Sequence, residues 1–200
     1  MTKQNLFAVV GALLLSASAS AAQIDYIQTG FGTGTLDGGA FGLQAPVSFT
    51  IRATGDTANI QSCGGGCLFN DNLSASIEIG SLGTFQFLTG TRFFSVGNIT
   101  GFSRDGIGGL DLYNTNVGST WDMATSFGPF PASGQILQWS TFPVLTTGGT
   151  LVLGESSSSG IFQATVDGTT VVPVPGSLLL LGSSLAGLLA IGRRRKATAA

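Results

Sequence analysis

Short segments in which hydrophobic and polar residues alternate run through the middle of the chain. In residues 45–52, Val47, Phe49 and Ile51 alternate with polar side chains, and a period of two is typical of a half-buried β-strand. The same pattern predicts strands at residues 74–79, 84–87, 109–113, 135–139, 150–153 and 160–166. Glycine-rich turns are predicted between them, at residues 37–39, 54–56, 104–106, 146–149 and 167–168. Many short strands with such turns predict an all-β domain over residues 23–170, an antiparallel β-sandwich or jelly-roll-like fold.

The core of this domain is expected to be aromatic. All of the 14 phenylalanines except Phe7 lie between Phe31 and Phe162. Each contributes roughly 1.5–3 kcal/mol when it is buried, which is enough for one domain of this size once conformational entropy is subtracted. The 31 glycines oppose folding, since an ordered glycine loses more backbone entropy than any other residue.

The charged residues are distributed unevenly. Between Gln23 and Pro175 there are three arginines, Arg52, Arg92 and Arg104, against all ten acidic residues, which gives this segment a net charge of −7. An acidic domain of this kind is not expected to bind nucleic acid, because such binding depends on neutralising phosphates. Histidine is absent, which removes the commonest general base and metal ligand.

The N-terminal segment predicts a cleaved signal peptide over residues 1–22. Lys3 supplies a positive charge, residues 6–15 form an apolar run, and small residues follow. Ala21 and Ala22 are both suitable positions for cleavage. The apolar run is shorter than the roughly 20 residues of a membrane span, which disfavours an uncleaved anchor. The expected partners are the Sec translocon and signal peptidase.

The C-terminal segment, residues 171–196, predicts a short transmembrane helix over residues 177–192 that attaches the chain to the membrane. Residues 178–191 are uncharged, and the basic cluster Arg193, Arg194, Arg195 and Lys196 follows. An apolar helix of this length spans about 21 Å, less than a hydrocarbon core of about 30 Å. The basic cluster is expected to remain cytoplasmic, so that the domain faces outward.

A proline motif precedes this helix: Val172, Pro173, Val174, Pro175 and Gly176. The order of Pro-x-Pro motif, apolar helix and Arg-rich end resembles the PEP-CTERM sorting signal, in a VPxP variant with Val174 where the family usually has Glu. The resemblance is confined to the C-terminal segment. It implies that an exosortase, a membrane-embedded transpeptidase-like enzyme, cuts near the motif. It also implies an intermediate anchored in the inner membrane and a final location at the cell surface or outside the cell.

Cys63 and Cys67 flank three glycines, and two cysteines in an exported chain are expected to pair. The glycines allow the tight bend that a disulfide needs. We predict a structural disulfide at a hairpin tip between the strands around Ile51 and Ile77. A metal site would need further ligands, and a redox pair normally has two intervening residues and a helix start.

Other candidate chemistry involves side-chain oxygens. Four carboxylates in the strand-rich region are candidates for catalysis: Glu78, Asp105, Asp111 and Asp122. We interpret them as turn-forming and solvated residues, so no enzyme and no cofactor is expected. Calcium is the alternative, because loop oxygens are its usual ligands. The candidate ligand sets are Asn70, Asp71 and Asn72, and Asp111, Tyr113, Asn114 and Asn116. Asx turns explain the same residues.

The aromatic residues Tyr113, Trp121 and Trp139 would bind sugars if they were exposed on one face, although such side chains more often fill a core. Two functions therefore stay open. The first is a non-enzymatic component of the envelope or of an exopolysaccharide matrix. The alternative is a β-sandwich module that binds carbohydrate, or hydrolyses it, and acts on extracellular polysaccharide.

Overall fold

The computed structural model describes residues 21–106, 111–157 and 159–167. These residues form antiparallel strands and one 3₁₀ turn, Thr57–Asn59, and they contain no α-helix. The strands are β1 Gln23–Leu36, β2 Gly39–Phe41, β3 Val47–Asp56, β4 Gln61–Gly64, β5 Cys67–Asp71, β6 Ser74–Ile79, β7 Gly83–Gln86, β8 Thr91–Val96, β9 Ile99–Arg104, β10 Asp111–Asn116, β11 Phe127–Ile136, β12 Val144–Thr146, β13 Gly149–Ser157 and β14 Gly160–Val166.

All strands belong to one open sheet that has two halves. Its order is β4-β5-β8-β9-β10-β11-β14-β1-β3-β6-β7, and β2 and β13 also pair with β1. The first half contains β1, β3, β6, β7 and β14, and the second half contains β4, β5, β8, β9 and β10. Strand β11 belongs to both halves: residues 133–136 pair with β10, whereas Phe127 and residues 130–132 pair with β14.

The two halves pack their inner faces against each other. Tyr26 of β1 stacks on Phe93 of β8 with 4.5 Å between ring centroids. Phe49 of β3 meets Tyr113 of β10 edge to face at 5.1 Å. These contacts place one aromatic core between the halves. The predicted all-β, sandwich-like domain is confirmed, and its jelly-roll-like variant stays a prediction.

Several strands were predicted correctly. The segments at residues 74–79 and 160–166 coincide with β6 and β14. The predicted turn at residues 54–56 is wrong, because β3 continues to Asp56 and its last residues pair with the start of β1. The segment at residues 135–139 is only partly a strand, since β11 ends at Ile136.

Strand β1, the longest, was not predicted. Its inner positions include Gln28 and Gly30 as well as Ile24 and Tyr26, so the hydrophobic alternation is interrupted. Gln28 is buried because its side-chain amide donates to Thr115 Oγ1 across the core at 3.0 Å. A hydrogen-bonded polar side chain can occupy the core, but the sequence pattern does not reveal its partner.

The predicted phenylalanine core is largely confirmed. Three phenylalanines lie instead in exposed positions, because they occupy outer positions or connections: Phe31, Phe130 and Phe142. The other members of the set are buried or partly buried: Phe41, Phe49, Phe69, Phe85, Phe87, Phe93, Phe94, Phe102, Phe127 and Phe162.

Glycines on the inner faces provide space for large rings. A methyl group at Gly30 would lie 2.6 Å from the Tyr113 hydroxyl oxygen, and one at Gly134 would also overlap that hydroxyl. The hydroxyl donates to the backbone oxygen of Thr29 at 3.2 Å. The high glycine content therefore has a packing role inside the strands as well as a role in turns.

Candidate functional site

The outer side of the second half contains a groove of about 510 Å³, which we call the outer groove. Strands β4, β5, β8, β9 and β10 form it. Its lining side chains belong to Cys63, Cys67, Phe69, Arg92, Phe94, Val96, Ser103 and Asp111. The groove combines two phenylalanines, an arginine, a carboxylate and the disulfide, which is the mixture of apolar surface and few polar groups found in ligand sites.

Strand alternation places these residues on the outer side. In β8, Phe93 and Ser95 are buried against the core, so Arg92, Phe94 and Val96 point the other way. In β5, Asn70 faces the core, so Phe69 lies outside. The strand register then sets Phe69 directly opposite Phe94.

The aromatic pair is held by its neighbours. Phe94 is opposite Gly101 of β9, and a methyl group at Gly101 would overlap the Phe94 ring. The Arg92 guanidinium lies 4.4 Å from the centroid of the Phe69 ring, within the range of a cation–π interaction. Arg92 Nε also lies 3.0 Å from Asp71 Oδ1. Because these two atoms are not aligned as a hydrogen bond, we describe the contact as an ion pair.

Asp111 reaches the groove through a bulge at the start of β10. Asp111 is opposite Ser103 and Tyr113 is opposite Phe102 on β9, so Leu112 is an extra residue in the ladder. The Asp111 carboxyl accepts a long hydrogen bond from Asn114 Nδ2 at 3.4 Å. Partial burial raises the pKa of the Asp111 carboxyl above its usual value, and the Asn114 hydrogen bond acts in the opposite direction.

The disulfide between Cys63 and Cys67 closes the β4–β5 hairpin beside the groove. The two Cα atoms are 5.1 Å apart, and Gly64, Gly65 and Gly66 between them all have positive φ angles, a conformation that glycine adopts at no steric cost. The predicted disulfide is therefore confirmed. The hairpin connects β3 to β6 along the chain, but it pairs with β8 in the second half.

The first predicted calcium set is not assembled. Asn70 faces the core, where its Nδ2 donates to the Tyr26 hydroxyl at 2.9 Å. Asp71 points outward to Arg92, since neighbouring side chains of a strand point to opposite faces. Asn72 donates to Thr91 Oγ1 at 3.0 Å. The three side chains cannot converge on one ion.

The second predicted calcium set is divided in the same way. Tyr113 is buried in the core, whereas Asp111 and Asn114 lie on the outer side. The Asn116 side-chain oxygen already accepts from Asn98 Nδ2 and from the Gly118 backbone N–H. Within residues 21–106, 111–157 and 159–167, no group of three or more His, Cys, Asp or Glu side chains is placed to hold a metal ion.

The predicted sugar-binding aromatics are core residues, which corrects that interpretation. Tyr113 and Trp139 are fully buried, and Trp121 is 6% exposed. Trp139 Nε1 donates to the Leu151 backbone oxygen at 3.2 Å. Burial also raises the pKa of the Tyr113 phenol to about 12. Large aromatics at inner strand positions bury the most area, so these three side chains form no exposed stacking surface.

The sequence analysis did not identify the outward-facing phenylalanines of the groove, Phe69 and Phe94. Phe93 and Phe94 are consecutive within one strand, so they must point to opposite faces. These two consecutive phenylalanines were the available signal that one of them faces outward. Phe69 carried no comparable signal, because its partner Phe94 is distant in sequence and only the register brings them together.

The four predicted carboxylates have separate environments. Asp111 lies in the outer groove, while Glu78 lies on the exposed side of β6 in the opposite half, so these two cannot act as a pair. The Asp122 carboxyl accepts from the backbone N–H groups of Ala124 and Thr125, as a turn-forming residue does. Asp105 is exposed just after β9.

Most targeting residues lie outside the described part of the chain. This applies to residues 1–20, to the motif Val172, Pro173, Val174, Pro175 and Gly176, to the helix over residues 177–192, and to Arg193, Arg194, Arg195 and Lys196. Ala21 and Ala22 are described and directly precede β1. Among the described residues there is no helix with the length and apolar character needed to cross a membrane.

The chain was compared with known proteins by sequence and by fold. No family model, no curated protein and no solved structure matches it.

Proposed function

We propose that the chain is an exported, surface-sorted and non-enzymatic component of the cell envelope or of an exopolysaccharide matrix. The observation that carries this proposal is the Cys63–Cys67 disulfide, which uses both cysteines of the chain. Disulfides form and persist in oxidising compartments outside the cytoplasm. The signal peptide and the PEP-CTERM-like tag predicted from the sequence agree with such a destination.

The start of the domain favours one of the two cleavage positions. The Ala22 backbone N–H donates to Thr57 Oγ1 at 3.0 Å, and its carbonyl accepts from the Thr57 N–H at 2.9 Å. Cleavage after Ala21 keeps both hydrogen bonds, whereas cleavage after Ala22 removes them. We therefore propose that the mature chain begins at Ala22.

The polar outer face supports a structural role. In the first half, the outer positions of β3 and β6 carry mainly hydroxyl side chains, such as Thr50, Thr54, Ser74 and Ser76. Hydroxyl groups both donate and accept hydrogen bonds, so this face is suited to a hydrated polysaccharide layer. The proposed role needs no catalytic group.

The test is to express the full chain in a bacterium that has an exosortase and to analyse surface-extracted protein by mass spectrometry. The expected mature protein begins at Ala22, contains the disulfide and lacks Arg193–Ala200. A matched variant with Pro173→Ala and Pro175→Ala should keep the C-terminal residues and remain in the membrane fraction. Surface protein that still begins at Met1, or wild-type protein found only in the cytoplasm, would contradict the proposal.

Carbohydrate binding is a second candidate function. One observation favours it, and it involves other residues than Tyr113, Trp121 and Trp139. The outer groove has an aromatic pair, Phe69 and Phe94, on the solvent side of a sheet. Hydrolysis receives no such support, since Asp111 and Glu78 lie on opposite faces of the domain.

A further inference from the structure

We infer that the outer groove is a binding site for a neutral sugar ring, which would stack on Phe69 and Phe94 and hydrogen-bond to Asp111. This inference deepens the carbohydrate-binding alternative proposed above and assigns it to a specific set of residues. It does not depend on export or sorting, because it concerns a surface of the folded domain.

The surface of the outer groove is unusually apolar for the outer side of a sheet. The solvated side of an antiparallel sheet is normally polar. In the second half, Phe69, Phe94 and Val96 instead lie together on that side, and Val96 is 36% exposed. The C–H groups on one face of a sugar ring are weakly positive and pack favourably against the negative face of an aromatic ring.

A sugar ring can approach Phe69 from the side that the Arg92 guanidinium leaves free. The Arg92 guanidinium covers one face of Phe69. Cys67 lies two residues before Phe69 and Val96 two residues after Phe94, so both are on the same outer side and line the groove. Phe94 is 7% exposed, so Phe69 supplies most of the stacking surface and Phe94 extends its base.

Asp111 and Ser103 supply polar partners for the hydroxyl groups of a sugar. The Asp111 carboxyl accepts only a long hydrogen bond from Asn114 among the described residues, so it retains free acceptor positions. Ser103, its neighbour across the ladder, also lines the groove with 2% of its surface exposed, and its hydroxyl can donate or accept. Sugar hydroxyls that donate to a carboxylate form charge-assisted hydrogen bonds, which are stronger than neutral ones.

The charged groups of the groove favour a neutral ligand. Arg92 is already paired with Asp71, and the remaining charged group of the groove is Asp111. The segment around it has a net charge of −7. An anionic polysaccharide would therefore meet no free positive charge in the groove and a repulsive field around it.

The first experiment is isothermal titration of the full, oxidised chain with neutral hexasaccharides: cello-, laminari-, malto- and manno-oligosaccharides. Oligogalacturonate and oligochitosan serve as the anionic and cationic comparisons. We expect at least one neutral oligosaccharide to bind, with an affinity that is unchanged between about 0.05 and about 0.5 M salt, because salt screens only charged interactions. No binding of any neutral oligosaccharide, or binding of the charged ones alone, overturns the inference.

The second experiment separates stacking from simple hydrophobic packing. Phe69→Trp keeps an aromatic face and should keep the affinity within about threefold, whereas Phe69→Leu should lower it about tenfold, equivalent to about 1.4 kcal/mol. Phe142→Leu is the matched control, because Phe142 is 36% exposed and lies outside the groove. If Phe69→Leu binds as tightly as the wild type, or if Phe142→Leu weakens binding equally, the groove is not the site.

The third experiment tests the carboxylate with a substitution of nearly equal size. Asp111→Asn should weaken binding about five- to tenfold, since it replaces a charge-assisted acceptor by a neutral one. Glu78→Gln, on the opposite face, should leave the affinity unchanged. An equal effect of both variants would contradict the assignment. Binding is measured on purified protein, so its failure is distinguishable from a failure of export, which is read from localisation.

Discussion

The two outer faces of the domain follow the same strand alternation but differ in chemistry. The outer side of the first half is polar, with Arg52, Thr54 and Ser76 at neighbouring positions. The outer side of the second half has Phe69 and Phe94. Both inner faces contribute to one buried core. Because successive side chains of a strand point to opposite faces, the core constrains only every second residue, and each outer face can acquire a separate role.

The two faces also differ in how their polar groups are satisfied. On the first face, the Thr54 and Ser74 hydroxyls hydrogen-bond each other at 2.8 Å, and Gln23 Nε2 donates to Asp25 at 2.9 Å. Short local contacts of this kind leave a hydrated surface. On the second face, the Arg92 guanidinium instead contacts both the Phe69 ring and the Asp71 carboxylate, and Arg92 lines the outer groove.

The largest effect is expected from comparing the consecutive residues Phe93 and Phe94. Phe93→Ala should lower the free energy of unfolding by about 3–5 kcal/mol, because it removes a fully buried ring from the core. Phe94→Ala should cost roughly 1.5–3 kcal/mol, because the Phe94 ring is 7% exposed but packs on the outer side and is not part of the core between the halves. Urea unfolding followed by circular dichroism measures both. Equal losses would contradict the distinction between inner and outer faces.

The next effect concerns the glycine under the aromatic pair. Gly101→Val should destabilise the domain by about 1–3 kcal/mol, because its side chain would overlap Phe94 and Asn114. Thr50→Val is the matched control on the other outer face, and it should change stability by less than about 0.5 kcal/mol. The same urea titration applies. If Gly101→Val left the free energy of unfolding unchanged, the Phe94 ring would be free to move aside.

Removal of the disulfide should have a moderate effect. The variant with Cys63→Ser and Cys67→Ser should lose about 2 kcal/mol or less, because the closed loop is short and loop entropy grows with loop length. Thermal unfolding of the oxidised protein, the reduced protein and the double variant provides the measurement. The reduced protein and the variant should behave alike. A loss much larger than this value would mean that the hairpin organises the whole second face.

The smallest effect is the pH dependence that arises from Asp111. Its raised pKa means that the folded state holds the proton more tightly than the unfolded state. The resulting stabilisation is present below the usual carboxyl value of 3.8 and is lost as the pH rises through the raised pKa. Asp111→Asn should therefore increase stability more at pH 7 than at pH 3, as measured by thermal unfolding. Glu78→Gln removes the same charge from the opposite face and corrects for the change in net charge.

The sequence predicted those parts of the fold in which the period-two pattern was uninterrupted. Residues 74–79 and 160–166 became β6 and β14 because their inner positions are apolar or small. Strand β1 was not predicted because Gln28 and Gly30 occupy inner positions. The Gln28 amide hydrogen-bonds to Thr115, and the rings of Phe49 and Tyr113 fill the space beside Gly30, so the partners of both residues are distant in the sequence. The disulfide was predictable because the chain has two cysteines and a predicted export signal, and because three intervening glycines allow the cysteines to meet.

The candidate site was less predictable because register determines it. Composition drew attention to Tyr113, Trp121 and Trp139, which the core buries. The groove instead depends on Phe69 lying opposite Phe94 and on a bulge that turns Asp111 outward. Neither the pairing partner of a strand nor a one-residue bulge can be read from a single sequence.

Strand β11 links the unfolding of the two halves, because it pairs with β10 through residues 133–136 and with β14 through Phe127 and residues 130–132. Neither half can separate from the other without breaking a strand that both share. Equilibrium unfolding should therefore be a single all-or-none transition. Backbone amides of β10 and β14 should accordingly exchange with solvent at similar free energies of opening, as expected for one cooperative unit.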